Sequence, residues 1–430
     1  MLARAKTPAS AVRALALLAA LAALGGCGKG AAGGSSTHSS ATVAGAPADH
    51  TTCPQTVLDV LGRVARRIYR QGVSSERTRS AAHLIAASLP LREAVERGDP
   101  VATRAAAQAL VAGGHLTNLR VIRGGAVLAD VGGPAVAPLH GALKGASGQP
   151  IASYVTSVWS DEGLLAETSG VTGSRVALRV GGRSVGGSLA LARGRIPAEG
   201  TLGYHGQRYQ YTSFGGAQYP AGHLRVYLLK PIGSISSLCG PTPEDTVVNT
   251  LSRIATLIYA AEGGPRTVPQ VRRVQQDQAL LRAVAARDVS SAKTAIEALL
   301  TEHIVRLRVF AGAGLLSDVG GPFVLAPVSA PLKLGGRPIG RLVLSIQDDE
   351  GYLRLAKRLV GLRVLMYMAP ARPGAQPQLV KNSLGPSPGS VPPSGPYQYR
   401  GQRFRVVTVN ARAFPSGPLT IRVLVPLPYS

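Results

Sequence analysis

HIVRLRVFAGAGLLSDVGGP, residues 303–322, has a second copy earlier in the chain, HLTNLRVIRGGAVLADVGGP at residues 115–134. Aligned without a gap, eleven positions agree: His, Leu, Arg, Val, Gly, Leu and the run Asp-Val-Gly-Gly-Pro. Each copy reads as two short strands joined by a glycine turn and stopped by Gly-Gly-Pro. The correspondence continues at a nearly constant offset through most of the chain, so the sequence is a tandem duplication. It sets a first module at residues 53–238 and a second at 239–430.

Upstream of the repeated stretch, apolar residues recur at helical spacing in TVLDVLGRVARRIY and in its counterpart DTVVNTLSRIATLIY, matching Arg63 with Arg253 and Tyr69 with Tyr259. A second helical stretch follows in each copy, Leu91–Val111 and Leu281–Glu302, interrupted near Asp99 and Asp288. In the first copy the interruption is Gly-Asp-Pro, which predicts a kink or a helix–turn–helix. Downstream, QPIASYVTSVWSDEG (149–163) and RPIGRLVLSIQDDEG (337–351) read as a strand running into an acidic turn. Tyr352–Val360 then continues as a short helix capped by the preceding acids, whereas the first copy's LLAETSGVTG is poorer helix and is expected to be truncated. Strands VALRV and LRVLMYM follow, the second copy adds a Pro/Gly/Ser-rich, mobile loop at 371–396, and both copies close on a hairpin with Tyr-x-Gly-Gln-Arg and aromatic-Pro-x-Gly turns.

The predicted fold class is α+β: two tandem modules, each a long N-terminal helical arm plus an antiparallel sheet of about five strands. That order resembles the PAS-like extracytoplasmic sensor modules called Cache or PDC domains, on the arm ending in HIVRLRVF, the SDVGGP turn and RPIGRLVLSIQDDEGYLRL. The first copy has drifted, with Ser160 and Leu164 where Asp348 and Tyr352 stand. The resemblance implies a small ligand in one or both modules and a signal passed across a membrane. This chain has neither a second membrane span nor an output domain, so a signal would pass through a partner protein.

Composition narrows the functional classes. The chain has 430 residues, 45% of them hydrophobic, with 52 Gly and 31 Pro, as in a globular protein rich in turns. The net charge of +25 comes mostly from Arg spread over both halves. No basic cluster is interleaved with stacking aromatics, so nucleic acid is not the expected partner. No nucleophile elbow, zinc-protease helix, phosphate loop or paired-Cys knuckle occurs. An enzyme, a cofactor and a metal site are therefore not expected.

The N-terminus gives an address. Arg4, Lys6 and Arg13 precede an apolar run, Ala14–Leu24, too short for a comfortable membrane span. Leu24-Gly25-Gly26-Cys27 resembles the lipobox of bacterial lipoproteins, which implies a signal peptide at 1–27, a lipidated Cys27 and an extracytoplasmic protein anchored to the cell membrane. An ordinary secretory signal with a chance Cys, or an uncleaved anchor, is the alternative. Residues 28–52 are a Gly/Ser/Ala linker with a span of roughly 25–30 Å as a flexible coil.

Candidate ligand-binding residues follow from the strands. In HIVRLRVF, Val305, Leu307 and Val309 share one face and Arg306, Arg308 and Phe310 the other. Arg308, matched by Arg120, has the fork geometry to hold a carboxylate or other anion; the alternative is a solvated Arg or an internal pair, for instance with Asp318 or, for Arg120, Asp130. Asp348, Asp349 and Tyr352, and Asp161 in the first copy, suit an amino group, or else form a helix cap with an aromatic beneath it. Ser345, matched by Ser157, is a weaker candidate, and the duplicated His115 and His303 read as helix-end residues. The second module keeps the full SIQDDEGY run and is expected to bind better. The competing functional class is a structural or interaction protein of the envelope.

With Cys27 lipidated, Cys53 and Cys239 are the remaining cysteines, each just before the first arm of its copy. In an oxidising compartment they are expected to form a disulfide closing the first module on itself; free thiols or an intermolecular bridge are the alternatives.

Overall fold

The computed structural model describes Val43–Ala44 and residues 52–429, apart from 190, 192, 193, 265, 266, 301, 302, 371 and 373. The leader at 1–27 with Cys27, and most of the 28–52 linker, lie outside the described residues. The fold is α+β, two tandem PAS-like modules in sequence.

The first module opens with β1 (Val43–Ala44), α1 (Cys53–Ser74), α2 (Glu76–Ala87), α3 (Leu89–Arg97) and α4 (Pro100–Ala112). Six strands follow: β2 (Asn118–Arg123), β3 (Ala126–Gly132), β4 (Ala135–Val136), β5 (Leu139–Lys144), β6 (Pro150–Ser157) and β7 (Trp159–Ser160). Then come α5 (Asp161–Thr172), β8 (Arg175–Val180), β9 (Arg183–Gly187), β10 (Glu199–Tyr204), β11 (Gln207–Tyr219), β12 (Gly222–Pro231) and α6 (Ile232–Ser236).

The second module repeats the order with α7 (Pro243–Glu262), α8 (Val268–Gln276), α9 (Gln278–Ala286) and α10 (Val289–Leu299). Its strands begin β13 (Arg306–Ala311), β14 (Gly314–Gly320), β15 (Val324–Leu325), β16 (Val328–Leu334), β17 (Arg337–Ser345) and β18 (Gln347–Asp348). Helix α11 (Asp349–Leu355) runs on as a π turn to Val360 and is followed by β19 (Arg363–Met368), β20 (Gln378–Asn382), β21 (Gly395–Tyr399), β22 (Gln402–Phe414) and β23 (Gly417–Leu427).

In each module the strands divide between two antiparallel sheets, a larger inventory than one sheet of about five. The small sheets run β3-β2-β6-β5 and β14-β13-β17-β16; the large ones run β10-β11-β12-β8-β9 and β21-β22-β23-β19-β20, in the same order. Gly-Gly-Pro ends the small sheet's hairpin for a steric reason. Gly132 has φ +91° and a Cβ there would stand 2.6 Å from Asn118 Cα; Gly320 has φ +132° and its Cβ would stand 2.5 Å from Arg306 Cα. Only glycine lets the backbone pass.

The interrupted helices break where the acids stand. Gly98 caps α3 in the left-handed conformation and the Asp99 carboxylate accepts from the Val101 and Ala102 amides; Arg287 and Asp288 do the same between α9 and α10. These short helices cover the small sheets. Ile85, Leu91 and Val95 bury against Leu119, Val121 and Leu143, and Leu281, Val284 and Ile296 against Leu307, Val309 and Leu342.

The long arms do something else. Leu61, Val64 and Ile68 of α1 and Leu251, Ile254 and Ile258 of α7 belong to a single core with Val226 and Leu228 of β12 and Ile421 and Val423 of β23. Each such side chain contributes about 1.5–3 kcal/mol when fully buried, so the two arms and both large sheets stabilise one another. Tyr69 and Tyr259 mark the symmetry: their hydroxyls accept from the amides of Ala217 (2.7 Å) and Arg412 (2.9 Å).

Cys53, at the start of α1, is bridged to Cys239, just after α6, with the Cα atoms 5.7 Å apart. Among the described residues no helix is long and apolar enough to cross a membrane.

Two departures from expectation matter for the site. Helix α5 is not truncated: Ser160 Oγ accepts from the Gly163 amide at 3.0 Å, and buried Leu164 and Val171 hold the helix to the core despite its poor propensity. The loop at 371–396 carries β20, an edge strand paired to β19.

Candidate functional site

The arginines of the repeated strand are engaged within the fold. Arg308 stands directly opposite Asp318 in the β13–β14 register, and its Nε donates to Asp318 Oδ2 at 2.9 Å. Arg306 donates to both Asp318 oxygens at 2.8 Å, and the Arg308 guanidinium lies 4.8 Å from the Phe414 ring centre. Burial pushes the Asp318 carboxyl up, but hydrogen bonds and charges from the two arginines outweigh it and hold it below the usual range. In the first module Arg120 lies 3.8 Å from Asp130, which also accepts from the Tyr219 hydroxyl. Burial and the Asp130 carboxylate push Tyr219 up to about 12. Phe414 and Tyr219 end β22 and β11, so each cluster ties a small sheet to the large one. The guanidinium of Arg308 is directed at Asp318 and Phe414 rather than at an open cavity.

Two further candidates are buried. Ser345 donates to the Leu325 carbonyl and accepts from the Gln347 amide at 3.4 Å, fixing the corner between β17 and β18. Tyr352 is fully buried, and its hydroxyl donates to the Ala255 carbonyl of α7 at 2.9 Å; burial raises its pKa far above the ordinary value.

The acidic turn, by contrast, opens onto a cleft in both modules. In the second, a cleft of about 330 Å³ is lined by Pro322, Phe323, Asp348, Asp349, Glu350 and Lys381. Asp348 caps α11 by accepting from the Gly351 amide at 2.6 Å, which leaves Asp349 to face the cavity. Lys381 of β20 places its ammonium 3.3 Å from Asp349 and 2.9 Å from Glu350. The Glu350 hydrogen bond, with the charge of Asp349 beside it, holds Lys381 above its ordinary range against burial.

The first-module cleft is larger, about 750 Å³, and lined by Pro134, Ser160, Asp161, Glu162, Leu165, Val176, Val185, Gly186 and Ser188 among others. Asp161 takes the place of Asp349. Gln218 donates to its Oδ2, while Oδ1 is buried without a hydrogen-bond partner. Burial raises the Asp161 pKa, with a contribution from neighbouring Glu162, against the lowering effect of the Gln218 bond. No Lys or Arg lines this cleft among the described residues, because Gly186 stands where the second module has Lys381. What the arrangement offers is a carboxylate residue in the wall of a partly apolar cavity, with one oxygen lacking a hydrogen-bond donor. A protonated amine on an apolar body meets both demands.

Of the sequence-derived candidates, then, Arg308 with Asp318 and Arg120 with Asp130 are brought together as inter-sheet ties. Ser345 and Tyr352 are structural, and Asp349 and Asp161 reach clefts. Lys381, Gly186 and Gln218 escaped the sequence reading. Aligning RSVGGS (183–188) with QLVKNS (378–383) would have placed Lys381 opposite a glycine.

No family model and no curated protein matches the sequence. Among solved structures, the chain is similar to the ligand-binding domain of the Pseudomonas fluorescens chemoreceptor CtaA in complex with L-isoleucine. The TM-score is 0.28 at 9% identity, covering 43% of this chain and 96% of that one. It is also similar to an extracellular ligand binding receptor from Desulfohalobium retbaense DSM5692, with a TM-score of 0.24 at 12% identity. That match covers 41% of this chain and 39% of the receptor.

Proposed function

We propose that this protein is an extracytoplasmic, lipid-anchored binding protein that receives a small protonated amine in the cleft of its first module. It is non-catalytic, and it passes any signal through an envelope partner. The observation that carries the proposal is Asp161 in the lining of a cleft of about 750 Å³ that, among the described residues, no Lys or Arg lines; one of its carboxylate oxygens, Oδ1, is buried and unpartnered. In the repeat-equivalent cleft an ammonium, that of Lys381, lies 3.3 Å from the matching carboxylate of Asp349. Supporting the address are the lipobox-like Leu24–Cys27 and the Cys53–Cys239 bridge, a feature of oxidising compartments.

Thermal-shift screening of the full chain against amines, polyamines, amino acids and organic acids tests it, since binding to the native state raises the melting temperature. Stabilisation by members of the amine group, lost in Asp161→Asn, is the expected result. No shift with any amine would turn the balance to the competing role, a structural protein of the envelope. That role draws on the core the two arms share and on the Lys381-filled second cleft.

A further inference from the structure

Arg179 is buried, with 4% of its surface exposed, yet no carboxylate pairs with it among the described residues. One guanidinium nitrogen, Nη2, donates to the carbonyls of Gly182 and Gly194, the latter at 2.8 Å; Nε is buried and has no partner. A buried cation satisfied only by carbonyl dipoles remains uncompensated in charge.

Its neighbour makes the imbalance worse. Arg225 of β12 stands directly opposite Arg179 of β8, on the sheet face shared with Ala177 and Tyr227 and away from α1. Like charges directly opposed across two strands destabilise a sheet. Arg225 donates from Nη1 to Ser213 Oγ at 3.2 Å. Both arginines line a cleft of about 630 Å³ with Arg195, and among the described residues no Asp or Glu lines it. Gly181, Gly182, Gly194, Gly215 and Gly216 form much of its wall, so backbone amides can be approached closely. The second module has no such pair: Tyr367 and Thr420 occupy the two opposed positions.

We propose that Arg179 and Arg225 form a site for a small soluble oxyanion, a phosphate or carboxylate group bound between two guanidinium forks. The forks are planar donors whose spacing suits paired oxygens, and an anion between them converts a repulsive cross-strand pair into a bridged one. This site lies on different residues from the Asp161 cleft and stands or falls independently of it.

Isothermal titration of the full chain with sodium phosphate and with sodium succinate, in chloride buffer at constant ionic strength, tests the proposal. Saturable binding of one or both is expected, and the preference identifies the oxyanion. Arg179→Gln and Arg225→Gln should each weaken it by about tenfold or more, the loss of a charge-assisted hydrogen bond. Arg104→Gln, on the exposed face of α4, should leave it unchanged. If Arg179→Gln does not fold, Arg225→Gln decides alone, because that side chain is exposed. Absence of saturable binding, equal weakening by Arg104→Gln, or retention on anionic vesicles with no binding of either free anion would overturn the proposal.

Discussion

Gly186 and Lys381 occupy the same place in their modules: Gly186 pairs with Leu178 across β8 and β9, and Lys381 with Met366 across β19 and β20. At this position the first cleft lacks the ammonium that the second holds. A Cβ on Gly186 would stand 3.1 Å from Leu165 Cδ1, the end of a flexible side chain, so a lysine can be built there.

Exchange of the two residues should exchange the clefts. For amines that stabilise the wild type, Gly186→Lys should weaken binding by about tenfold or more, because the new ammonium competes for Asp161. Lys381→Gly should open a second amine site, read as a second equivalent in titration. Unaltered affinity in Gly186→Lys together with no second site in Lys381→Gly would remove the clefts from the mechanism.

Asp161 gives a pH signature. Its pKa is raised in the folded protein, chiefly by burial. The neutral carboxyl is thus favoured by folding, and its contribution is full below the ordinary carboxylate range and lost as pH rises through the raised value. Asp161→Asn should therefore match the wild type in acid and exceed it in melting temperature at neutral pH. Melting curves of the unliganded proteins across that range decide the sign.

Tyr352 separates core from pocket. Tyr352→Phe removes the bond to Ala255 and should cost about 0.5–1.5 kcal/mol, while Tyr352→Ala should cost about 3–5 kcal/mol through the cavity it leaves. Urea denaturation measures both. Amine affinity should not change in Tyr352→Phe.

The disulfide spans a sequence separation of 186 residues. Closing so long a loop gives a nominal chain-entropy stabilisation of about 5 kcal/mol. Thiol counting on the denatured, unreduced protein should find neither Cys53 nor Cys239 free, with the chain monomeric. Reduction should lower the denaturation midpoint without changing the far-UV spectrum under native conditions.

The proposed lipid anchor would be carried by Cys27. Cys27→Ser should move the protein from the membrane fraction to the soluble extracytoplasmic one. Continued membrane association of that variant would point to an uncleaved anchor instead.

Much of the architecture was legible in local sequence. The duplication, the helical arms, the breaks at Asp99 and Asp288, and the Gly-Gly-Pro stop depend on periodicity, capping and left-handed backbone, which act between near neighbours. The pairing of Cys53 with Cys239 was legible because they are the two cysteines left besides Cys27, in a chain expected to sit in an oxidising compartment. Tertiary structure decided what each functional group faces. Whether Arg308 meets a ligand or Asp318 depends on the opposing strand and on Phe414, far away in sequence. Helix α5 persists because Leu164 and Val171 find a core, a gain that propensity does not contain. The strand bearing Lys381 sits in a Pro/Gly/Ser-rich segment and exists through its pairing with β19, so only the folded sheet brings that ammonium to Asp349 and leaves Asp161 without one.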